Sequence, residues 1–305
     1  MKKVDSYIVF LMLLLCLTAC QKEAMQPKVY GRFVPERKDD FAWENEYAAY
    51  RFYGPALAPE NPSNGVDIFM KNTPEFVLDT FFYNYVNFRT PYHVQHGKGF
   101  DGYKVAHTTG CGGPAIVVDD ALYVGNQFDS WEIVEQTPNK LVFRLHYDSL
   151  HVAGVWFSED ITVTSCAGEV LNKAELVLKP LDEAGEVPAL QVGAGLYLHD
   201  SIGTYQFMDH SLAYTETALS DPGAVRLNKK WYDNIDLGQT HEAIIVPGAV
   251  NGTIISNTAV LVRPYTPGET LTYWFGGCWD RWTDGKHAFP THEAWSKAIA
   301  KKQRK

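Results

Sequence analysis

Short apolar segments, each bounded by turn residues, recur along most of this 305-residue chain. Residues 131–134 and 141–147 read as a β-hairpin, because the turn residues Thr137, Pro138 and Asn139 lie between them. Residues 160–165 and 174–178 form a similar pair. Further segments of this kind are residues 191–198, 205–208, 212–217, 243–246, 252–256, 259–263 and 270–275. Many short strands separated by Gly, Pro and Asn turns predict an all-β fold, here a large antiparallel β-sandwich.

One segment reads clearly as a helix, and it lies at the C-terminus. His292–Gln303 follows Thr291, a suitable N-cap, and has basic residues crowded at its end, where cations favour a helix. The Pro-rich residues 54–63 are interpreted as a loop inside the fold, because strand-like segments flank it on both sides. Residues 30–305 are therefore predicted to form a single β-sandwich domain that ends in a short helix.

The N-terminal segment has the pattern of a secretory signal. Lys2 and Lys3 precede the short apolar run of residues 7–17, which is shorter than the ~20 residues that span a bilayer comfortably. Residues 17–20 (LTAC) look like a bacterial lipobox. We expect residues 1–19 to be a signal peptide and residues 20–29 a tether lipidated at Cys20, giving an outer-membrane lipoprotein on the periplasmic or outer face. The alternative is a plain signal peptide.

Overall composition excludes some classes of function. Lys and Arg total 27 against 36 for Asp and Glu, a formal net charge of −9, so a nucleic-acid partner is not expected. After Cys20 the chain has Cys111, Cys166 and Cys278, without a C-x-x-C pair. This argues against a zinc site or a disulfide framework and favours free thiols, with one disulfide left open.

The segment 92–114 is the densest in chemically active residues. It combines many glycines with His93, His96, Lys98, Lys104 and His107. Glycine allows sharp turns and close approach to a ligand, so the segment predicts an irregular functional loop on a rigid scaffold. The catalytic candidates are Tyr92, His93, His96, Tyr103 and Lys104, and the candidates for substrate contact in this loop are Asp101 and His107. The alternative is a solvated surface loop.

A metal at this loop is the second choice. His93 and His96 are three residues apart, a spacing that suits a helical face, but Gly97 and Gly99 oppose a helix there. In a strand, the same spacing points the two side chains to opposite faces. No cofactor is therefore expected, although a divalent metal at the histidines stays open.

Two aromatic segments supply further candidates for substrate contact. Residues 39–54 contain Trp43, Glu44 and Arg51, and residues 273–282 contain Arg281 between two tryptophans. Aromatic planes beside hydrogen-bonding groups suit sugar rings, and a stacked arginine can bind a carboxylate through two parallel hydrogen bonds. The alternatives are core aromatics with a buried ion pair in the first segment, and a surface arginine that covers an apolar edge in the second.

Several blocks together resemble one known family. Residues 39–46 (DDFAWENE), 49–57 (AYRFYGPAL), 64–71 (NGVDIFMK), 92–105 (YHVQHGKGFDGYKV) and 110–113 (GCGG) are similar, in this order, to a Bacteroidetes lipoprotein family known as domain of unknown function 4861. The resemblance covers essentially the whole chain after the signal. It implies a galactose-mutarotase-like super-sandwich and a role in polysaccharide utilisation. The family includes a member that looks like an oligosaccharide dehydratase of ulvan breakdown.

One departure from the family lies in the central loop. Where the family loop reads Y-H-x-D-H-G-E-G, this chain has Gln95 and Lys98, so two acidic positions are absent. The loop is correspondingly more basic than the pattern that it resembles.

The implied reaction fits the residue types in this chain. Elimination across C4–C5 of a uronic acid needs a cation on the carboxylate, a base for the C5 proton and an acid for the departing hydroxyl. Arg51, Lys104 and Arg281 are candidates for the first role, and His93 and His96 with Tyr92 or Tyr103 for the other two. The basic cluster is expected to lower the pKa of a neighbouring tyrosine or lysine.

The leading hypothesis is thus a carbohydrate-active lyase or dehydratase acting on a uronic-acid-containing oligosaccharide. A sugar mutarotase or epimerase also needs only an acid and a base, and a non-catalytic glycan-binding lipoprotein needs neither. A glycoside hydrolase would need a suitably spaced carboxylate pair, for which Glu44, Asp101 and Asp280 are the candidates.

Overall fold

The computed structural model describes residues 26–95, 97–182, 185–199, 203–218, 236–282 and 289–303. The predicted signal peptide, the lipidation residue Cys20 and the first part of the tether lie outside these residues. No helix in the described ranges is long and apolar enough to cross a membrane.

Antiparallel strands make up most of the described chain. In chain order they are β1 (Tyr30–Val34), β2 (Asp40–Glu44), β3 (Ala48–Phe52), β4 (Val66–Lys71), β5 (Gly99–Phe100), β6 (Cys111–Val118), β7 (Ala121–Tyr123), β8 (Ser130–Thr137), β9 (Lys140–Val152), β10 (Val155–Cys166), β11 (Asn172–Pro180), β12 (Leu190–Tyr197), β13 (Gly203–Met208), β14 (Ser211–Thr217), β15 (Gln239–Ile245), β16 (Asn251–Ile255), β17 (Thr258–Tyr265) and β18 (Leu271–Trp279). Two helices accompany them, α1 (Leu78–Phe88) and α2 (His292–Gln303), together with two short 3-10 turns, Pro35–Arg37 and Pro55–Leu57.

The strands form three sheets. The first is a five-stranded meander, β1-β2-β3-β4-β5. The second has eight strands in the order β13-β14-β15-β18-β11-β10-β9-β8, and the third has five in the order β16-β17-β12-β6-β7. The predicted hairpin is β8 with β9, and the second predicted pair is β10 with β11. The prediction of a large antiparallel sandwich is confirmed.

One continuous apolar core joins the three sheets. Trp43 of β2 packs on Phe143 of β9 with ring centroids 4.9 Å apart, which brings the first sheet onto the second. Gly112 of β6 brings the third sheet onto the second: its φ is +96°, and a Cβ there would lie 2.3 Å from the Cβ of Phe275. Only glycine accepts both that conformation and that approach.

The C-terminal helix agrees with its prediction in bounds and in cap. The Thr291 hydroxyl accepts a hydrogen bond from the Ala294 amide at 3.2 Å. Trp295 is buried against the outer face of the eight-stranded sheet and donates from its indole nitrogen to the Glu242 carbonyl at 2.9 Å. The helix is thus held by burial of one apolar side and by a hydrogen bond to the sheet beneath it.

Helix α1 was not expected from the sequence. It covers the outer face of the first sheet, where Phe82 meets Phe69 edge to face, with ring centroids 6.2 Å apart. The exposed side of the helix mixes the apolar Tyr83 and Phe88 with polar residues such as Asp79 and Asn87, so apolar residues interrupt the polar face that makes an amphipathic helix visible.

The cysteines also agree with the favoured interpretation. Cys111, Cys166 and Cys278 carry free thiols, and Cys111 and Cys278 are buried. Burial raises the pKa of both buried thiols well above its usual range, so they behave as small apolar core residues.

Candidate functional site

One end of the eight-stranded sheet gathers much of the chemistry. Glu216, Thr240 and Trp279 occupy neighbouring positions of β14, β15 and β18. The ring of Trp279 meets Phe100 of β5 with centroids 5.3 Å apart. Because Phe100 leads directly into residues 101–107, the second half of the predicted functional loop lies at this end of the sheet.

A histidine and a glutamate form the centre of a polar group here. Nδ1 of His199, just after β12, lies 2.9 Å from both carboxylate oxygens of Glu216. Its Nε2 lies 2.7 Å from the Lys104 carbonyl oxygen, and the Tyr214 hydroxyl donates to Glu216 at 2.6 Å. The His199 side chain is 16% exposed and Glu216 5%. We call His199, Glu216, Tyr214 and Lys104 the histidine cluster.

Two tyrosines enclose the imidazole of His199. The rings of Tyr103 and Tyr197 meet it edge to face, with centroids 4.6 and 4.7 Å away. The Tyr103 hydroxyl donates to the Tyr197 carbonyl at 3.3 Å. Burial raises the pKa of Tyr103 well above its usual range, so the lowering expected from nearby basic residues is not found at this tyrosine. Tyr103 thus orients the histidine and keeps its own proton.

Lys104 and His107 lie on the outside of the loop. The Lys104 side chain is exposed, while its backbone carbonyl is held by His199. His107 is exposed as well, and its Nδ1 contacts the Pro62 carbonyl oxygen. Of the two, Lys104 is the residue that His199 contacts, through the Lys104 backbone carbonyl.

A second polar group surrounds Arg51 of β3. The guanidinium donates to Asp67 at 2.7 Å, to Asp101 at 3.1 Å, to the Tyr92 hydroxyl at 3.2 Å and to Asp40 at 3.4 Å. Arg51 is 2% exposed, Tyr92 1%, Asp101 3% and both other aspartates 0%. These five residues are called the arginine cluster. Its members saturate one another, so in this conformation Arg51 presents no free edge to a sugar carboxylate.

The arginine cluster has more carboxyls than cations. Burial, together with the neighbouring Asp101 charge, raises the pKa of Asp67 to about 7 against the opposing effect of Arg51. Burial also raises the pKa of Asp40. A proton on one of these carboxyls relieves the excess negative charge, which is the usual outcome when like charges share a dry site.

His93 joins the edge of the arginine cluster. Its Nε2 lies 3.5 Å from Asp101, its ring stacks on Tyr92 with centroids 4.4 Å apart, and its side chain is 20% exposed. It is therefore the part of that cluster that solvent reaches best. His96 lies outside the described residues.

Trp43 and Glu44 agree with the alternative interpretation of the first aromatic segment, namely core aromatic residues and a buried ion pair. Trp43 is 0% exposed in the core, and its indole nitrogen donates to Asn172 at 3.2 Å. Glu44 is buried in an ion pair with Lys71 at 2.8 Å. It also accepts hydrogen bonds from the amide nitrogens of Val77 and Leu78, and so caps the start of α1. Neither side chain presents surface to a sugar in this conformation.

Arg281 lies just after β18, at the same end of the sandwich. It pairs with Asp236 at 2.9 Å and lies 3.5 Å from Asp280, with 45% of its side chain exposed. A Cβ on Gly238 would lie 2.2 Å from Asp280 and 2.6 Å from Arg281, and its φ is +73°. Glycine is thus required for β15 to begin this close to the two charged side chains.

No group of three or more histidine, cysteine, aspartate or glutamate side chains suited to hold a metal occurs within the described residues. Of His93 and His96, the pair that suggested a metal site, only His93 is among the described residues.

Sequence reasoning missed His199 and Glu216. The two are 17 positions apart, and Lys104 is 95 positions from His199, so no local spacing joins them. The only signal was a histidine directly after a predicted strand, a place where loops commonly carry function.

Comparison with known proteins adds a family and a relative. The model of a family described as a domain of unknown function, DUF4861, matches residues 18–305. A protein of Formosa agariphila named "Uncharacterized protein P7" is 27% identical, over 88% of this chain and 66% of the relative. This chain thus spans a little less than two thirds of the length of that relative. Because the family model matches nearly the whole chain, the protein belongs to the DUF4861 family.

Proposed function

We propose that this protein is a carbohydrate-active lyase or dehydratase that eliminates across C4–C5 of a uronic acid at the end of an oligosaccharide. The observation that carries the proposal is the imidazole of His199, held between the Glu216 carboxylate and the loop that bears Lys104. An acid–base histidine then contacts the backbone of a residue whose exposed side chain can supply the cation that elimination next to a carboxylate requires.

Each residue has a definite task in this proposal. Lys104 pairs with the substrate carboxylate, which accumulates charge when the C5 proton leaves. His199 donates a proton to the departing C4 hydroxyl, which leaves as water, and a base of the functional loop takes the C5 proton, for which His93 is the candidate among the described residues. Glu216 compensates the charge of the His199 ring and fixes its orientation. Tyr214 donates to Glu216 and keeps that carboxylate in place. The other exposed cation at this end, Arg281, lies where further anionic sugar units would be held.

The test is an absorbance assay with oligosaccharides that end in glucuronic or iduronic acid. Elimination creates a conjugated, unsaturated uronyl end, and we expect its absorbance band to grow with time for the wild type. A His199→Gln variant should lose that growth while remaining folded. Flat traces for the wild type on both classes of substrate would rule the proposal out.

A mutarotase or epimerase is the second candidate, because a histidine beside a glutamate also meets its need for an acid and a base. Polarimetry on free sugars separates the two. Optical rotation that changes while the absorbance stays flat would favour this candidate. A non-catalytic glycan-binding protein would show neither signal, and His93→Ala would then change only affinity.

We also propose that the protein is an outer-membrane lipoprotein anchored through Cys20. The support is the lipobox-like sequence LTAC after the apolar run. Mass spectrometry of the N-terminal peptide of membrane-bound protein should show a lipidated Cys20, and Cys20→Ser should release the protein from the membrane fraction. An unmodified Cys20 in membrane-extracted protein would contradict the anchor.

A further inference from the structure

A third carboxyl lies behind the histidine cluster. Glu242 of β15 stands directly across from Tyr214 of β14, and Glu216 is paired with Thr240 two positions along. Because side chains alternate along a strand, Tyr214, Glu216 and Glu242 share one face, with the two carboxyls as diagonal neighbours. Glu242 is 0% exposed.

The surroundings of Glu242 supply no compensating charge. Neither carboxyl oxygen has a hydrogen-bond partner or an ion pair in the part of the chain that the structure describes. The Thr240 hydroxyl on the same strand is near but makes no hydrogen bond of normal geometry. Among the described residues, the titratable groups that interact with the charge of Glu242 can only become negative themselves: Tyr103, Cys111, Tyr214, Glu216 and Cys278.

The carboxyl groups of Glu216 and Glu242 therefore differ in the hydrogen bonds that surround them. Glu216 accepts a hydrogen bond from the Tyr214 hydroxyl and lies 2.9 Å from Nδ1 of the His199 ring. Burial raises the pKa of Glu242 well above its usual range, and the charge of Glu216 raises it further. Two adjacent carboxyls in a dry site do not both ionise, and the one without donors keeps the proton.

The hydrogen-bond geometry also constrains His199. A backbone carbonyl can only accept, so the 2.7 Å contact with Lys104 places a proton on Nε2. An ionised Glu216 also can only accept, so the 2.9 Å contacts place a second proton on Nδ1. The ring then carries a positive charge.

We propose that Glu242 and Glu216 hold one proton between them, located on Glu242, and that His199 is in consequence an imidazolium in the resting protein at neutral pH, the form that can donate a proton to the sugar. Glu242 is thus a positioning residue that acts through Glu216. The role of this charge rests on the proposed function. There, the His199 imidazolium and the Lys104 ammonium supply two positive charges, which favour binding of a sugar that bears a carboxylate over a neutral sugar.

Nuclear magnetic resonance of the histidine ring nitrogens tests the proposal on the full folded protein without a substrate. His199 is identified by comparison with His199→Gln. At pH 7 we expect both ring nitrogens of His199 to carry protons in the wild type and in Glu242→Gln, whose amide has the shape of a neutral carboxyl. In Glu216→Gln the ring should be neutral. A neutral His199 in the wild type, or a loss of its charge in Glu242→Gln, would overturn the proposal.

A second measurement addresses Glu242 itself. A carboxyl whose pKa is raised by folding makes the native state hold the extra proton, so stability falls as pH rises above the ordinary glutamate range. The urea midpoint of the wild type should therefore drop more steeply between pH 5 and pH 8 than that of Glu242→Gln. Parallel curves would show that Glu242 is ionised in the native state, against the proposal. Because neither measurement uses a sugar, failure here is separate from failure of the absorbance assay.

Discussion

The arginine cluster and the histidine cluster contain similar residues but differ in how far they are shielded from solvent. Both combine carboxylates with a cationic side chain and a tyrosine hydroxyl. Arg51 donates to three aspartates and Tyr92 and is 2% exposed, so its hydrogen-bonding capacity is used inside the protein. His199 is 16% exposed and lies beside the exposed Lys104.

This difference separates a cluster that stabilises the fold from one that can act on a ligand. The arginine cluster ties β2, β3 and β4 to the start of the functional loop, so its removal should be felt in folding. The histidine cluster is less deeply buried and includes the exposed side chain of Lys104, so its removal should be felt in catalysis. The following predictions test that separation, beginning with the largest expected effect.

Replacing Arg51 by methionine should cost about 3–5 kcal/mol of the free energy of unfolding, because buried aspartates lose their counter-charge. Urea unfolding at pH 7 measures it. The matched control is Arg281→Met, whose side chain is 45% exposed, and it should cost less than about 1 kcal/mol. Equal losses of stability in the two variants would remove the distinction between a buried arginine that stabilises the fold and an exposed one.

Replacing His199 by glutamine should lower the rate of uronate elimination by roughly 10²–10⁴-fold, the usual contribution of an acid–base residue. The free energy of unfolding should change by only about 1 kcal/mol, the typical loss for one hydrogen-bonded side chain. His146→Gln is the control, since that histidine pairs with Asp160 on the other half of the same sheet. The same loss in both variants would mean that the assay reports general damage rather than chemistry.

The arginine cluster should also show itself in the pH dependence of stability. Burial raises the pKa of Asp67 from its ordinary value near 3.8 to about 7, so the native state keeps a proton that the unfolded chain releases. Stability then falls as pH rises through this window, by at most about 1.4 kcal/mol per pH unit. Asp67→Asn should flatten the urea-unfolding series between pH 4 and 7. A wild type that gains stability over this range relative to the variant would show that Arg51 outweighs burial.

Replacing Lys104 by methionine should raise KM by about tenfold, which corresponds to ~1.4 kcal/mol, with a smaller change in kcat. The ammonium lost is the one that we expect to meet the substrate carboxylate, and the salt dependence of KM should weaken with it. Lys98→Met is the control in the same loop, because Lys98 is exposed and paired with Glu75. A larger rise in KM for Lys98→Met would move the recognition site to the first half of the loop.

Local patterns in the sequence were enough for much of the fold. The β8–β9 hairpin was visible because its turn residues and alternating strands are adjacent, and α2 because Thr291 caps it from the neighbouring position. Helix α1 was hidden for the opposite reason. Its cap is Glu44, 33 and 34 positions before the amides that it accepts from, and its exposed side carries Tyr83 and Phe88.

The site was predictable only in its first element. The segment 92–114 was predicted as an irregular loop from its glycines and basic residues, but its last residues form the start of strand β6, and its functional members divide between two clusters. Tyr92 and Asp101 belong to the arginine cluster, whereas Lys104 belongs to the histidine cluster. This division depends on strand register across the sheet, and so does the position of His199 and Glu216 beside the loop. Spacing within the loop sequence cannot reveal that register.

The C-terminal helix has a consequence for handling the protein. His292 at its start and His241 of β15 both contact the hydroxyl of Thr215, at 3.0 and 2.9 Å. Thr215 lies between Tyr214 and Glu216, so the tail touches the back of the strand whose front carries the histidine cluster. A deletion that removes this helix therefore acts within one residue of the site.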